Sequence, residues 1–351
     1  MNNLLINKNN NPYYINAPSY VQTSMGIKIL HHLCHYLNLK GYPAFLFDLK
    51  LVNYRVNPQL ISPILNENVI NCHREANLSP IVVYPDVVNG NPLNSNNVVR
   101  YILNYAGLLG GQKNFNENEL IYCYTKKISD KIEHKNKHTL FMPPLINEQI
   151  FYQPENDSKR SGGCYYGAKY KEFHKQKTFP FTDNLTEITR DKKDSQTTMQ
   201  IGELFRNSEF FVAYEDTSLI TESLLCGCPA ILLKNNFFDG TQLAEFELSK
   251  FGSTNNSDEE SIKKAKKEIP LFLNNYRKAS LEFENQFENF IRDTQNFSLN
   301  KGSPDSKYNF LISQAFEEVS IGKFFKKKII KKFRKIKNKI KQKNLKKTTP
   351  N

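Results

Sequence analysis

The segment Ser208 to Leu233, SEFFVAYEDTSLITESLLCGCPAILL, constrains the fold of this chain more than any other stretch. Its first apolar run, Phe210 to Ala213, is short and uninterrupted, as in a parallel strand that is covered on both faces. A second such run, Ala230 to Leu233, follows after 16 residues. This spacing leaves room for one short helix, so the segment predicts a strand, helix and strand of an α/β domain.

The residues between the two runs carry the signals of that helix. Thr217 or Ser218 can cap its start, because a hydroxyl oxygen accepts a hydrogen bond from the first free backbone N–H groups. Gly227 and Pro229 supply its end. A helix start at the carboxyl end of a parallel strand presents free N–H groups and a positive dipole to an anion such as a diphosphate. Glu222 lies one turn further in, where a carboxylate can accept both hydroxyls of a ribose.

These residues resemble the donor-binding motif of GT-B glycosyltransferases. In that motif an acidic residue, seven intervening positions and a Glu precede small residues, Gly and Pro. Here Glu215 and Glu222 are separated by six residues, and the strict spacing falls on Tyr214. The segment is more similar to a bacterial subgroup with Tyr, an acid, a polar residue and Thr, then Glu, then a stop like Cys-Gly-Cys-Pro.

Two further segments resemble the same subgroup. Val83 to Gly107 is similar to its N-terminal-domain block, in which a strand end with Tyr, Pro and an acid leads through Gly-Asn-Pro-Leu into a helix, here expected at Asn97 to Asn104. Thr186 to Arg190 (TEITR) is similar to its strand before the helix that precedes the donor motif. The alternative for Ser208 to Leu233 is an ordinary βαβ crossover with solvated carboxylates and no ligand.

The resemblance implies two Rossmann-like, doubly wound α/β domains that face a cleft. A chain of 351 residues is long enough for two such domains. Tyr13 to Ala17, Ser24 to Leu39 and Pro43 to Leu49 read as strand, helix and strand. A polar, turn-rich stretch after Pro143 suits a linker, so we expect an acceptor-side domain in residues 1–150 and a nucleotide-sugar donor domain in residues 151–300.

The end of the chain is expected to leave the second domain. Ser257 to Arg292 reads as a long charged helical region that Pro270 breaks, and Thr294 to Asp305 reads as a loop. Residues 301–321 then contain a helix, Tyr308 to Val319, and the resemblance implies that it packs back on the first domain.

Glycosyl transfer needs a hold on the leaving diphosphate, stabilisation of positive charge at the anomeric carbon, and an oriented acceptor hydroxyl. The resemblance places Lys169 against the diphosphate, and Arg190 ends a strand on the same side of the sheet; either can also be a solvated surface charge. Glu222 is the leading candidate, with Glu215 nearer the transferred sugar. The predicted donor-binding residues are Gly26, Lys169, Arg190, Asp216, Thr217, Ser218 and Glu222.

The first domain contributes candidates of its own. Gly26 would let backbone approach a ligand, or would only form a tight turn. Asp86, Asn89 and Asn91 follow a predicted strand and can bind the acceptor or the donor sugar, or can hold the Gly90-Asn91-Pro92 turn. Related enzymes mostly retain the anomeric configuration, which implies no dedicated general base, and no metal or other cofactor is expected.

The cysteines and histidines favour a reduced, metal-free protein. The six cysteines show no paired metal spacing. His31, His32, Cys34 and His35 are close in sequence, but on one helix turn they point in several directions, so a metal site there is disfavoured. Met1 to Asn11 is polar and lacks the apolar core of a signal peptide, and no apolar run approaches the ~20 residues that span a bilayer.

The positive charge of the chain belongs to its C-terminal tail. The formal charge is +13, and Lys323 to Lys347 contains 14 Lys or Arg and no acid. Apolar residues recur there at steps of three or four, the pattern of an interfacial helix that binds an anionic leaflet. Nucleic acid or a solvated tail are the alternatives. The predicted membrane-binding residues are Phe325, Ile329, Lys332, Phe333, Ile336 and Ile340.

The sequence therefore predicts a glycosyltransferase that uses a nucleotide sugar and a glycan or glycolipid acceptor in lipopolysaccharide, capsule or other surface-glycan synthesis. It is expected on the cytoplasmic face of the cytoplasmic membrane, with no nucleic-acid partner. The alternative is a non-catalytic Rossmann-like protein that binds anionic lipid or nucleic acid through its tail. A nicotinamide-dependent oxidoreductase is disfavoured, because no Gly-x-Gly-x-x-Gly follows the first strand.

Overall fold

Two parallel β-sheets organise the chain. The computed structural model describes residues 10–49, 54–155, 159–175, 177–190 and 194–299. The first sheet has the order β2-β1-β3-β4-β5-β6, with every described pair parallel. Its strands are β1 (Tyr13–Asn16), β2 (Ala44–Phe47), β3 (Ile81–Pro85), β4 (Asn97–Ile102), β5 (Leu120–Cys123) and β6 (Lys137–Thr139).

Helices cover both faces of this first sheet. They are α1 (Met25–Leu39), α2 (Glu67–Glu75) and the single turn α3 (Lys126–Ser129). Successive strand residues point to opposite faces. In β1, Tyr13 and Ile15 therefore lie in the same apolar cluster as α1, while Tyr14 lies in a second cluster with Ile70 of α2. Burial on both faces explains why the strands are almost wholly apolar.

The second sheet has the order β11-β10-β9-β7-β8, again with parallel pairs. Its strands are β7 (Gly163–Tyr166), β8 (Thr186–Glu187), β9 (Phe210–Ala213), β10 (Ala230–Leu232) and β11 (Ser253–Thr254). The helices of this half are α4 (Ala168–Phe173), α5 (Thr198–Asn207), α6 (Leu219–Leu225), α7 (Glu245–Leu248) and α8 (Glu259–Leu299).

When the strands of each half are counted from one, both sheets have the order 2-1-3-4-5, and the first sheet adds a sixth strand at its end. In each, the first strand pairs with both the second and the third, so the direction of winding reverses beside it. Ligands of open α/β sheets bind in the crevice outside the carboxyl ends of the strands at such a point. The predicted fold class, two doubly wound α/β domains, is confirmed.

The strand, helix and strand predicted from Ser208 to Leu233 are β9, α6 and β10. Gly227 has φ +72° and closes α6. Its N–H bonds to the carbonyl of Leu224, and the N–H of Cys228 bonds to that of Ser223. These two bonds form a Schellman motif. The guanidinium of Arg160 adds a third contact by donating to the carbonyl of Cys226 at 2.8 Å.

The helix predicted at Asn97 to Asn104 is wrong, because Asn97 to Ile102 forms β4 in the middle of the first sheet. Val98 and Val99 are β-branched, which favours a strand over a helix. The side chain of Arg100 is nevertheless fully buried in β4 and paired with Glu119. The ion pair thus lets a charged residue occupy a strand that is covered on both faces.

The end of the second half also differs from the prediction. Pro270 does not break the helix, and Thr294 is helical, because α8 runs unbroken over 41 residues. Its first part packs on the second sheet, and its last turns pack on the first. The hydroxyls of Tyr13 and Thr294 are 2.7 Å apart, and the backbone N–H of Phe141 donates to Gln286 at 2.8 Å.

Packing of both parts of α8 against the sheets outweighs the hydrogen bond lost at Pro270. The return to the first domain is thus already made within α8. The predicted return helix in residues 301–321 and the tail 322–351 lie outside the described residues.

Candidate active site

Residues that follow the strands of the two sheets come together at their carboxyl edges, and the region between Lys28, Lys126, Glu222 and Glu247 is the crevice between the domains. The side chain of Lys28, in the first turn of α1, donates to the carbonyl of Leu145 in the connecting segment at 3.1 Å. On the other side of the crevice, the N–H of Lys126 in α3 donates to Glu247 of α7 at 2.6 Å. Residues that follow strands of the first sheet therefore lie against residues that follow strands of the second.

Four of the predicted donor-binding residues form a connected group at the edge of the second sheet. The guanidinium of Arg190 donates to the hydroxyl of Thr217 at 3.3 Å. The hydroxyl of Ser218 donates to Glu222 at 3.2 Å. The Arg190 guanidinium also lies over the ring of Tyr166, 5.2 Å from its centroid, which fixes its plane. The ends of β7, β8 and β9 thus meet at one place.

A polar clamp positions Arg190. The side-chain oxygen of Gln196 accepts from the backbone N–H of Thr189 at 2.8 Å and from its hydroxyl at 2.9 Å. The amide nitrogen of Gln196 donates to the carbonyl of Glu187 at 2.8 Å. These bonds hold the segment after β8 that precedes Arg190, so the cation is presented by an ordered stretch of backbone.

Burial dominates the electrostatics of Glu222. It raises the pKa of this carboxyl above its ordinary value of 4.5, while the nearby cations Arg190 and Lys28 and the hydrogen bond from Ser218 oppose the rise. A half-buried carboxylate among two cations can accept hydrogen bonds from ligand hydroxyls. This environment is suited to a polyol such as a ribose.

Lys28 is the site residue that sequence reasoning missed. Its side chain is only 8% exposed. Burial lowers the pKa of Lys28; Glu222 opposes this shift and Arg190 adds to it. The sequence signal is its place in the first turn of α1, the helix that follows β1, but its interaction with Glu222 depends on how the two domains pack together.

Glu215 is buried at the start of α4. Its side chain is 2% exposed, and one carboxylate oxygen accepts from the backbone N–H groups of Lys169 at 2.9 Å and Tyr170 at 3.0 Å. Burial raises the pKa of Glu215, and these bonds oppose the rise. Glu215 thus occupies the anion position at the start of α4 and ties that helix to the loop after β9.

The side chain of Lys169 is exposed, and its charge acts on the neighbouring carboxylate of Glu215. Asp216 faces the loop after β10, where one carboxylate oxygen accepts from the N–H of Leu243 at 2.7 Å. The described hydrogen bonds of Glu215 and Asp216 therefore connect loops at the carboxyl edge of the second sheet. Contact of Glu215 with the transferred sugar stays a prediction.

The predicted residues of the first domain lie at its carboxyl edge. Gly26 is within the first turn of α1, and a Cβ added there would meet Leu103 at 3.7 Å, an ordinary contact. Asp86 is buried, and its Oδ1 accepts from the N–H of Leu103 at 3.0 Å, which joins the ends of β3 and β4. Asn89 is exposed.

Asn91 spans the turn after β3. Its amide donates to the carbonyl of Ser95 at 2.7 Å and accepts from the N–H of Ser95 at 3.1 Å. Its oxygen also accepts from the hydroxyl of Tyr84 at 3.3 Å. The structure therefore supports the turn-forming alternative for Asn91.

Among the described residues there is no group of three or more His, Cys, Asp or Glu arranged to hold a metal ion. His31, His32 and His35 contact the carbonyl of Pro18, the carbonyl of Lys28 and the N–H of Ile61, so they point apart as predicted. Burial also raises the thiol pKa of Cys164 to about 12 and of Cys226 to about 11, which suits unreactive core thiols.

Within the described ranges, no helix has the length and apolar character needed to cross a membrane. The predicted membrane-binding residues, Phe325 to Ile340, lie outside the part of the chain that the structure describes.

A comparison of the sequence with models of protein families and with curated proteins finds no match. Solved structures do match. The spinosyn forosaminyltransferase SpnP is 9% identical with a TM-score of 0.37, covering 87% of this chain and 99% of its own. The glycotransferase of kitacinnamycin is 8% identical with a TM-score of 0.42, covering 82% and 99%.

The glycosyltransferase SnogD from Streptomyces nogalater is 10% identical with a TM-score of 0.37, covering 87% and 99%. Similarity at this level carries no functional argument.

Proposed function

We propose that this protein is a glycosyltransferase that takes its sugar from a nucleotide-sugar donor. The observation that carries the proposal is the hydrogen-bonded group of Arg190, Thr217, Ser218 and Glu222 at the crevice. The charges of Arg190 and Lys28 act on the Glu222 carboxylate there. A nucleotide sugar has the complementary chemistry, because it joins vicinal ribose hydroxyls to a diphosphate with negative charge. The crevice at the carboxyl edges is where open α/β sheets bind nucleotides.

Each residue then has a defined task. The carboxylate of Glu222 accepts hydrogen bonds from the ribose hydroxyls, and Ser218 orients it through their 3.2 Å hydrogen bond. Arg190 and Lys169 bind the diphosphate. Thr217, which already contacts Arg190, holds that guanidinium and contacts phosphate oxygens.

The chemistry follows from where charge develops. The bond between the anomeric carbon and the phosphate oxygen breaks, and its electron pair leaves with the nucleoside diphosphate. Arg190 and Lys169 balance the negative charge that develops on the leaving diphosphate, and in this way they stabilise the transition state. The acceptor hydroxyl forms the new bond to the anomeric carbon and passes its proton to the departing phosphate oxygen. We propose retention of configuration, no metal requirement, and acceptor contacts from Asp86 and Asn89.

We further propose that the acceptor is a lipid-linked glycan of a bacterial surface polysaccharide. The support is the basic tail, whose periodic apolar residues suit an anionic membrane surface on the cytoplasmic side. An enzyme held at that surface has direct access to an acceptor in the same membrane.

The test is saturation-transfer NMR of the full chain with a panel of UDP-, GDP-, CDP- and dTDP-sugars. The variant is Glu222→Ala, and the matched control is Glu203→Ala, which removes an exposed carboxylate from the neighbouring helix α5. We expect selective binding by the wild-type chain and by the control, lost in Glu222→Ala. Absence of binding by a folded wild-type chain, or equal binding by all three proteins, contradicts the proposal.

A further inference from the structure

Lys28 is a buried cation that the first domain places at the crevice. Its side chain is 8% exposed, and one of its three ammonium protons is donated to the carbonyl of Leu145 at 3.1 Å. Burying an ammonium is costly unless other groups stabilise the charge. Glu222 of the second domain supplies that stabilisation, since its charge opposes the lowering of the Lys28 pKa.

Lys28 and Arg190 approach the same carboxylate from different domains. Both cations act on Glu222, and the charge of Arg190 repels that of Lys28. The Nε of Arg190 is buried and has no hydrogen-bond partner in the described part of the chain. Lys28 and Arg190 both retain donors to offer in the described part of the chain, and Arg190 also acts on the buried carboxylate of Glu215. Such a group is suited to a second anion placed between the domains.

We propose that Lys28 is a phosphate-binding residue contributed by the first domain, which together with Arg190 holds the diphosphate of the nucleotide between the two domains. This inference rests on the proposed function. In this arrangement both domains contact the diphosphate of the donor, but not its base or its sugar. The nucleoside binds to the second domain through Glu222.

The hydrogen bond from Lys28 to Leu145 ties the cation to the segment between the two domains. Leu145 lies in the segment that connects the two sheets, and its carbonyl now accepts from the Lys28 ammonium. A phosphate oxygen would compete with that neutral carbonyl and form a stronger, charge-assisted hydrogen bond. Diphosphate binding therefore draws on both domains, whereas nucleoside binding draws mainly on one.

The experiment measures affinity by isothermal titration calorimetry for the nucleoside, its monophosphate and its diphosphate, with the base given by the best donor of the panel. The variants are Lys28→Met, Lys28→Gln and Lys28→Arg in the full chain. The control is Lys40→Met, which removes an exposed lysine just after the other end of α1. Thermal unfolding of each variant shows that it is folded.

We expect Lys28→Met and Lys28→Gln to weaken diphosphate binding by about 10- to 100-fold and to leave nucleoside binding unchanged, because a hydrogen bond to a charged group contributes in this range. Lys28→Arg should recover part of the affinity, and Lys40→Met should match the wild-type chain.

Three results overturn the inference. Equal diphosphate affinity in the neutral variants excludes Lys28 as a phosphate ligand and leaves the donor proposal intact. Equal loss for nucleoside and diphosphate assigns Lys28 a structural role. A folded wild-type chain that binds none of the three compounds removes the proposed function, and the inference with it.

Discussion

Replacement of Arg100 by Met tests how a charged residue is kept inside the first sheet. The Arg100 guanidinium is fully buried and donates to both carboxylate oxygens of Glu119, at 3.1 Å from Nε and 2.8 Å from Nη2. It also donates to the carbonyls of Val88 and Gly90 in the loop after β3. The same side chain thus holds β4 and the loop that carries Asp86 and Asn91.

The expected loss follows from the carboxylate left behind. The side chain of Glu119 is 9% exposed, so Arg100→Met leaves a buried charge without its partner. Removing one member of a buried ion pair costs about 3–5 kcal/mol. Replacing both members with apolar residues, as in Arg100→Met with Glu119→Leu, is often close to neutral, so the double variant should recover about 2 kcal/mol or more of the loss.

Equilibrium unfolding in urea, followed by circular dichroism, measures these differences. The control is Lys126→Met, which removes an exposed i,i+4 pair with Asp130 and should change stability by about 0.5 kcal/mol or less. A loss below about 1 kcal/mol for Arg100→Met, or a double variant that is less stable than either single variant, would refute the reasoning.

Three further predictions concern α6, α1 and the site carboxylate. Gly227→Ala should lower the free energy of unfolding by about 1–2 kcal/mol in urea titrations, because Gly227 has φ +72° and an added Cβ meets Arg160 at 3.1 Å. Gly26→Ala should leave the melting temperature unchanged, since its Cβ makes only an ordinary contact with Leu103; a clear drop would contradict this. Affinity for the nucleoside diphosphate should fall as the pH drops through the raised pKa of Glu222, because protonation removes the charged acceptor, and Glu222→Gln should show a flatter profile in calorimetry.

Local patterns predicted much of the fold. The strand at Phe210 to Ala213 was predicted with its observed bounds, and the helix predicted from Ser24 to Leu39 forms from Met25 to Leu39. These elements depend on neighbouring residues: an apolar run buried on both faces, or a 3.6-residue period with a Gly or polar cap. The end of α6 at Gly227 could likewise be predicted, because few residues other than Gly adopt a positive φ at low energetic cost.

The errors came from contacts between distant residues. The helix expected at Asn97 to Asn104 follows from the resemblance, whereas the ion pair of Arg100 with Glu119, 19 positions away, lets this segment form a buried strand. Pro270 did not end α8, because packing on both sheets stabilises the helix around it. Such contacts are absent from any local window of sequence.

The candidate site likewise combines residues that local sequence predicts with one that depends on a distant contact. The group of Arg190, Thr217, Ser218 and Glu222 could be predicted, because each follows a strand whose carboxyl end lies at one sheet edge. Lys28 could not be predicted, because its charge acts on Glu222 only when the two domains are packed together.

The central claim is that Glu222 accepts hydrogen bonds from the ribose of a nucleotide bound in the crevice. The most direct measurement is a cycle of four affinities by isothermal titration calorimetry: wild-type chain and Glu222→Gln, each with a ribonucleoside diphosphate and its 2′,3′-dideoxy analogue. The account predicts strong non-additivity, with a coupling of about 1.5–3 kcal/mol, so that removing the hydroxyls costs affinity in the wild-type chain and little in the variant. Equal losses in both proteins would show that Glu222 does not contact the ribose.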